Sequence, residues 1–350
     1  MHPIAYHLMM LLVDAALLSL FARRTTLSLA CFTAFLGFSA AFLFAALNLQ
    51  LFCQGVFYHG GAFLFGQSII FAAKKKKRLA VLPTIFSILA LAVGVNSMLI
   101  EPYDLQVERH EFQDARIHEP FRIVFLTDIQ TDHVTEYEKC VFETVVELKP
   151  DLVLFGGDYI QAGANNAQVA TDLNVLMREA DFAHKSTFGA YAVRGNVDPN
   201  LWTDVFEGTG VHVVEETETF EVGPIVLTAL GIWDSTGWPG LELEERIDDK
   251  FHVILGHVPT FFVDTAETGE GDLLLAGHTH GGQIRIPGYG PILTLTPRLP
   301  RDWAAGLTEL EGDDGPRRMI VSRGVGMERG YAPRVRFMCR PDIRVIDLTP

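Results

Sequence analysis

Residues 1–100 carry a single acidic side chain, Asp14, and seven basic ones grouped as Arg23-Arg24 and residues 74–78. The rest of that segment is mainly apolar and divides into four stretches, 4–21, 27–47, 51–73 and 79–100. A helix needs about 20 mostly apolar residues to cross a bilayer, so the expected fold of this segment is four membrane-spanning helices. The third stretch is the weakest because it contains Gln54, His59 and Gln67. These side chains either line a polar cavity or hydrogen-bond between helices. The first stretch lacks a basic start and is followed by further apolar runs, unlike a cleavable signal peptide.

Lysine and arginine favour the cytoplasmic side of a membrane. Four spans put both basic clusters on that side and both chain ends on the other. Three spans would separate the clusters. The expectation is therefore a multi-pass membrane protein whose C-terminal domain is extracytoplasmic. The basic run at 74–78 reads as a topology signal, with anionic head groups as the other reading.

The remaining 250 residues have a different composition. Of the chain's 28 Lys and Arg and 43 Asp and Glu, all but seven bases and one acid lie beyond residue 100, which leaves a formal charge of −21 there. Nucleic-acid binding needs cations facing phosphates, so nucleic acid is not an expected partner. Such an acidic domain suits divalent metals instead. Cys31, Cys53, Cys140 and Cys339 form no CxxC motif or dense disulfide framework. A Cys140–Cys339 disulfide remains a minor alternative.

Residues 101–119 are polar and read as a linker, and residues 120–350 as the second domain. Apolar strand-like runs are expected at 121–127, 151–155, 188–193, 211–216, 220–230, 251–255, 273–276, 319–322 and 335–346. Helical spacing covers 134–148 and 167–180. This alternation indicates an α/β layered fold. Ligands of such folds gather beyond the carboxyl ends of strands. Asp128, Asp158, Asn196, His257, His278 and His280 each follow an apolar run at such a place. All six are metal-ligand types, and their recurrence points to a metal site.

The order Asp128-x-Gln130, Gly157-Asp158, Gly195-Asn196-x-Asp198, Gly256-His257 and Gly277-His278-Thr279-His280 resembles the calcineurin-like metallophosphoesterase superfamily. The runs 281–288 and 322–326 look like its bacterial membrane-linked branch, some members of which hydrolyse phosphodiesters or the pyrophosphate of UDP-2,3-diacylglucosamine. The resemblance implies a four-layer α/β/β/α domain and two divalent metal ions, manganese before iron or zinc. It implies that Asp128 and His280 hold the first metal, that Asp158 bridges, and that Asn196, His257 and His278 hold the second. A hydroxide shared by the two metals would attack phosphorus in line with the leaving oxygen.

Two positions depart from that pattern. Gln130 stands where the superfamily usually has His, and an amide oxygen is the weaker ligand. His133, three residues on, either replaces it or is an exposed loop residue. Val197 stands where a His commonly protonates the leaving group, and valine donates no proton. Asp198 is expected to orient Asn196. Asn196, Asp198 and His257 are the catalytic candidates. Arg323, Arg194 and His133 are the substrate candidates, with surface ion pairs as the alternative for the arginines. His110, His118, His184, His212 and His252 match no motif. The expected activity is hydrolysis of a phosphodiester or pyrophosphate in a small or lipid-linked molecule. The alternative is a catalytically reduced protein that keeps a metal and binds a partner.

Overall fold

The computed structural model describes residues 2–45, 48–237, 249–263, 271–294, 296, 298–310, 317–330 and 332–350. It divides into two compact units, one of Met1–Ile100 with Glu328–Val335, the other of Glu101–Met327 with Arg336–Pro350.

The first unit is helical. Helices α1 (Pro3–Arg23), α2 (Leu27–Ala45), α3 (Leu49–Ala73) and α4 (Lys77–Tyr103) are each long and apolar enough to cross a membrane. Their exposed surfaces include Leu11, Phe35, Ile69 and Leu89. An apolar exterior of this kind is stable against hydrocarbon rather than water. Interior contacts combine aromatic pairs such as Phe21–Phe71 with polar side chains: Gln67 donates to the Ala30 carbonyl (3.0 Å) and Thr33 Oγ1 (2.9 Å). That is interhelical hydrogen bonding. α3 contains a π-helical turn, Gly55–His59, which adds one residue to the local repeat. Gly55 is required there, because a Cβ would collide with the Tyr6 hydroxyl and with Ala41 Cβ.

The second unit is built on two six-stranded sheets. The first has the order β1 (Gln106–Gln113), β14 (Asp342–Thr349), β2 (Phe121–Leu126), β3 (Leu152–Phe155), β4 (Ala190–Val193), β5 (His212–Val214). The second has the order β12 (Gly306–Leu310), β13 (Arg317–Val321), β9 (Leu273–Ala276), β8 (Phe251–Leu255), β7 (Ile225–Ala229), β6 (Glu218–Val222). A short hairpin pairs β10 (Arg285–Ile286) with β11 (Gly290–Pro291). β2, β3, β4 and β5 run parallel, as do β7, β8, β9 and β13.

The sheets face each other across one apolar core. Phe125, Leu152, Leu154 and Ile346 from one sheet pack with Leu227, Val253, Leu275 and Ile320 from the other. Helices α5 (Glu136–Glu147) and α6 (Asn166–Ala180) cover the outer face of the first sheet through Val141, Phe142, Val145, Leu173 and Met177. Thr135 caps α5 in a capping box with Glu138. On the outer face of the second sheet the described residues contribute Phe261, Phe262 and Leu299 rather than a long helix. The architecture is mixed α/β, with the sheet pair at its centre.

Three expectations need correction. Residues 101–119 hold β1, which pairs with β14 along its whole length. Its charged residues hid the strand, since its side chains alternate between exposed and half-buried and only Phe112 is buried. Residues 220–230 are not one strand; Gly223, with φ +55°, turns the chain into the β6–β7 hairpin. The final strand starts at Asp342, not near 335. All four cysteines are free, so no Cys140–Cys339 disulfide is present.

Candidate metal centre

The parallel strands β2, β3, β4, β8 and β9 all end at the same edge of the sheet pair. Asp128 follows β2, Asp158 follows β3, Asn196 follows β4, His257 follows β8, and His278 and His280 follow β9. His257 Nε2 is 3.1 Å from Asp158 Oδ2 and 3.0 Å from Asn196 Oδ1. His278 Nδ1 lies 2.6 Å from the same Asn196 oxygen. Ligand atoms of Asp158, His257 and His278 all fall within 4.8 Å of one another. On the other side, His280 Nε2 is 3.5 Å from Asp128 Oδ1. Asp128 and Asp158 are tied together through the backbone, because Asp128 N donates to Gly157 O and Gln130 N to Asp158 O.

The local conformation is unusual. Asp128, Gln130, Asp158, His278 and His280 all have positive φ, between 41° and 67°. A non-glycine residue held there costs about 1–3 kcal/mol and persists only where surrounding contacts impose it. Two glycines permit the geometry. A Cβ on Gly195 would strike the Asp158 carboxylate, and one on Gly277 the Asp128 carboxylate. Only a bare backbone leaves room for both acids.

Asp198 holds two of these loops together. Its carboxylate accepts from the backbone N–H groups of Asp158 (2.9 Å), Tyr159 (2.6 Å) and Gly195 (2.8 Å). Val197 N–H in turn donates to Asp158 Oδ1 (2.9 Å). His257 Nδ1 meets the Gly156 carbonyl at 2.7 Å. The Gly156 carbonyl accepts the Nδ1 proton, so Nε2, which faces Asp158 and Asn196, is the nitrogen that can turn a lone pair to a metal once its own proton leaves.

The charge balance follows from burial. Burial pushes the Asp128 carboxyl up to about 7, despite the opposing pull of His257. Burial alone would lower the His257 imidazole, but the adjoining Asp158 carboxylate overrides it and raises the ring to about 9. Burial also raises Asp158, and there the His257 charge and hydrogen bond prevail and hold it below the usual carboxylate range. Burial keeps the His280 ring well below its ordinary value and therefore neutral.

These residues fit divalent cations. His280 is 3 % exposed, yet neither ring nitrogen has a hydrogen-bond partner among the described residues. Buried polar groups are nearly always satisfied. An imidazole lone pair facing a carboxylate at ligand spacing is what a metal site leaves when only the protein atoms are considered. The donor set of carboxylates, an amide oxygen and imidazoles suits manganese, iron or zinc better than calcium.

The remaining candidates have the following surroundings. Gln130 is fully buried, and its Nε2 donates to Gln161 Oε1 (3.0 Å). The His133 ring is 71 % exposed and pairs with Asp132. The Arg323 guanidinium pairs with Asp342 and Glu108, each at 2.6 Å. Arg194 donates to the Asp198 carbonyl and to Asn200 Oδ1.

Two contributors had no sequence signal. Ser235 is fully buried and its Oγ accepts from His257 N–H (2.8 Å) and Val258 N–H (2.7 Å), fixing the end of β8. Arg336 is fully buried and donates to the carbonyls of Arg323, Gly324 and Gly326. It thereby shapes the loop against which Asp128 packs, where a Cβ on Gly324 would overlap Asp128 Cβ.

Comparison with known proteins agrees with this geometry. Residues 121–282 match the model of the calcineurin-like phosphoesterase family. The chain is 29 % identical over 268 residues to the uncharacterized metallophosphoesterase YkuE of Bacillus subtilis, covering 71 % of this chain and 87 % of that protein. It is 29 % identical over 269 residues to the phosphodiesterase YaeI of Escherichia coli, covering 71 % and 90 %. A metallophosphoesterase of Aquifex aeolicus is 28 % identical over 284 residues, covering 74 % and 97 %. Carboxylates, an amide and imidazoles gathered at one edge of a double sheet lie within a segment that matches this model, so the chain is similar in both sequence and site to the calcineurin-like metallophosphoesterases.

Proposed function

We propose that the protein is a membrane-anchored phosphoesterase that hydrolyses a phosphodiester or pyrophosphate bond at a pair of divalent metals, manganese foremost. The observation that carries this reading is the pairing of Asp128 with His280 beside the cluster of Asp158, Asn196, His257 and His278. Asp128 and His280 would hold one cation. Asn196, His257 and His278 would hold the other, with Asp158 shared. When bound, such a pair supplies Lewis acidity, lowering the pKa of a water and offsetting charge on the phosphoryl oxygens.

The chain's own residues set the rest of the chemistry. Gly156 O and Ser235 hold His257 in one orientation and position, and Asp198 locks the Asp158 and Asn196 loops together. Val197 supports no proton transfer to the leaving group. General acid help is worth about 10²–10⁴-fold, so the reading favours leaving groups that need none: phosphate, nucleotide or phenol-like. A lipid-linked substrate is favoured by the four apolar helices of the same chain.

The test is turnover of bis(p-nitrophenyl) phosphate by the full chain with added manganese, together with metal analysis. Two metals per chain and activity abolished in Asp158→Ala are expected. Across a series of leaving groups, the rate should fall steeply toward alkyl esters. A flat series would remove the leaving-group argument. A second reading, a partner-binding protein with one metal, is favoured by the compact three-residue cluster of Asp158, His257 and His278. One metal and no turnover on any ester would establish it instead.

A further inference from the structure

The acid that stands alone in the first hundred residues lies at the middle of α1, inside the helical unit. Asp14 Oδ2 is 3.2 Å from His59 Nδ1, and the two side chains are 13 % and 10 % exposed. His59 Nε2 is 3.0 Å from His7 Nδ1, with the two rings stacked at 21°. His59 ends the π-helical turn of α3, and π-turns recur at functional sites. The Asp14 side also borders a cavity of about 610 Å³ whose other walls include Met10, Phe38, Phe57, Phe63 and Phe86.

We propose that His7, His59 and Asp14 form a proton relay that ends on a carboxyl group in mid-membrane. A bare carboxylate in hydrocarbon is costly, and ionisable groups placed there usually serve proton or ion traffic. The hydrogen bonds form one unbroken line of donors and acceptors. His7 and Asp14 are seven residues apart on α1, so the line spans about 10 Å along the helix axis. His7 lies toward the helix start and is only partly buried. Other ionisable side chains are few. Tyr6 turns its ring edge toward His59 at 6.3 Å, and Cys53 and Tyr58 lie on α3. α2 carries only the exposed Cys31, and the 79–100 part of α4 carries none.

The proton balance closes without any other reactant. In the starting state Asp14 is ionised, and both rings are neutral with the proton on Nδ1. A proton arriving at His7 Nε2 lets His7 Nδ1–H pass to His59 Nε2. His59 Nδ1–H then passes to Asp14 Oδ2. The end state has a neutral carboxyl group and two neutral rings protonated on Nε2, so the line carries no net charge. The proposal presupposes that the four helices cross a bilayer and is independent of the phosphoesterase site.

Infrared spectroscopy of the full chain in lipid nanodiscs tests it. A protonated-carboxyl band should grow as pH falls and be lost in Asp14→Asn. In deuterated water its isotope shift should develop promptly in the wild type and slow markedly in His7→Gln, which keeps a hydrogen bond but cannot relay. Equal exchange rates in the two proteins would overturn the relay. Absence of the band at every pH in the wild type, a measurement that needs no variant, would reduce the cluster to a structural ion pair.

Discussion

Asp198 is the residue whose removal separates architecture from chemistry. Its carboxylate gathers four backbone N–H groups from two loops, those of Asp158, Tyr159, Ile160 and Gly195, and each donor left buried without a partner costs about 1–3 kcal/mol. Asp198→Ala should therefore lower stability by roughly 3 kcal/mol or more in denaturant melts of the metal-free protein and also reduce metal content. Asp198→Asn, which keeps an acceptor, should lose less of both. The protonation pattern makes a second prediction. Asp128 at about 7 and His257 at about 9 are proton-bound in part or in full at neutral pH in the metal-free protein. A metal must displace those protons, so binding should tighten as pH rises and release about one proton or more per chain at pH 7. Calorimetry in buffers of different ionisation enthalpy counts them. The linkage sign is the same for both groups, since each has a raised pKa in the folded state. The stability that they contribute is present at low pH and is lost as pH rises, through about 7 for Asp128 and about 9 for His257. Added metal should therefore stabilise the protein most in alkaline buffer.

At the scale of the elements, the strand ends bring the site together and the glycines set its clearances. Gly277→Ala would place a methyl group against Asp128 and Thr127. It should cost about 1–3 kcal/mol from overpacking, with loss of the metal beside Asp128, read by metal analysis. Thr135→Ala, which removes the α5 cap, should cost about 1 kcal/mol and leave metal content unchanged. Most of this layer was legible beforehand, because apolar runs that end in Gly-Asp, Gly-Asn or Gly-His show both a buried strand and a tight turn. The convergence of Asp128, Asp158, Asn196, His257, His278 and His280 could be inferred because parallel strands share one functional edge. The illegible parts have physical causes. β1 has polar side chains and becomes a strand only by pairing with β14, a partner more than two hundred residues away. Ser235 and Arg336 act on backbone groups, and sequence spacing carries no signal for that. The positive φ of the ligand residues is imposed by neighbours, against the preference of Asp and His themselves.

For the whole molecule, charge and hydropathy separate two regions that solve different solvation problems. The helical segment turns large apolar side chains outward and buries polar ones such as Thr33, Gln67 and Ser87 beside its aromatic clusters, while the double-sheet region gathers its apolar side chains inside. Both basic clusters, Arg23-Arg24 and residues 74–78, are predicted to face the cytoplasm. Single cysteines placed beside each cluster, in a chain whose native cysteines are replaced, should resist a membrane-impermeant thiol reagent in intact cells. One placed near residue 118 should react.

The order of strands in the first sheet has a further consequence, for biogenesis. β14 lies between β1 and β2 and comes from residues 342–349. Until residues 342–349 have been made, β1 lacks its β14 partner and that edge of β2 stays open. The double-sheet region therefore cannot close its sheet vectorially as it is made. It must wait as an unfinished intermediate until its last strand arrives, which makes that strand a checkpoint that truncated products cannot pass.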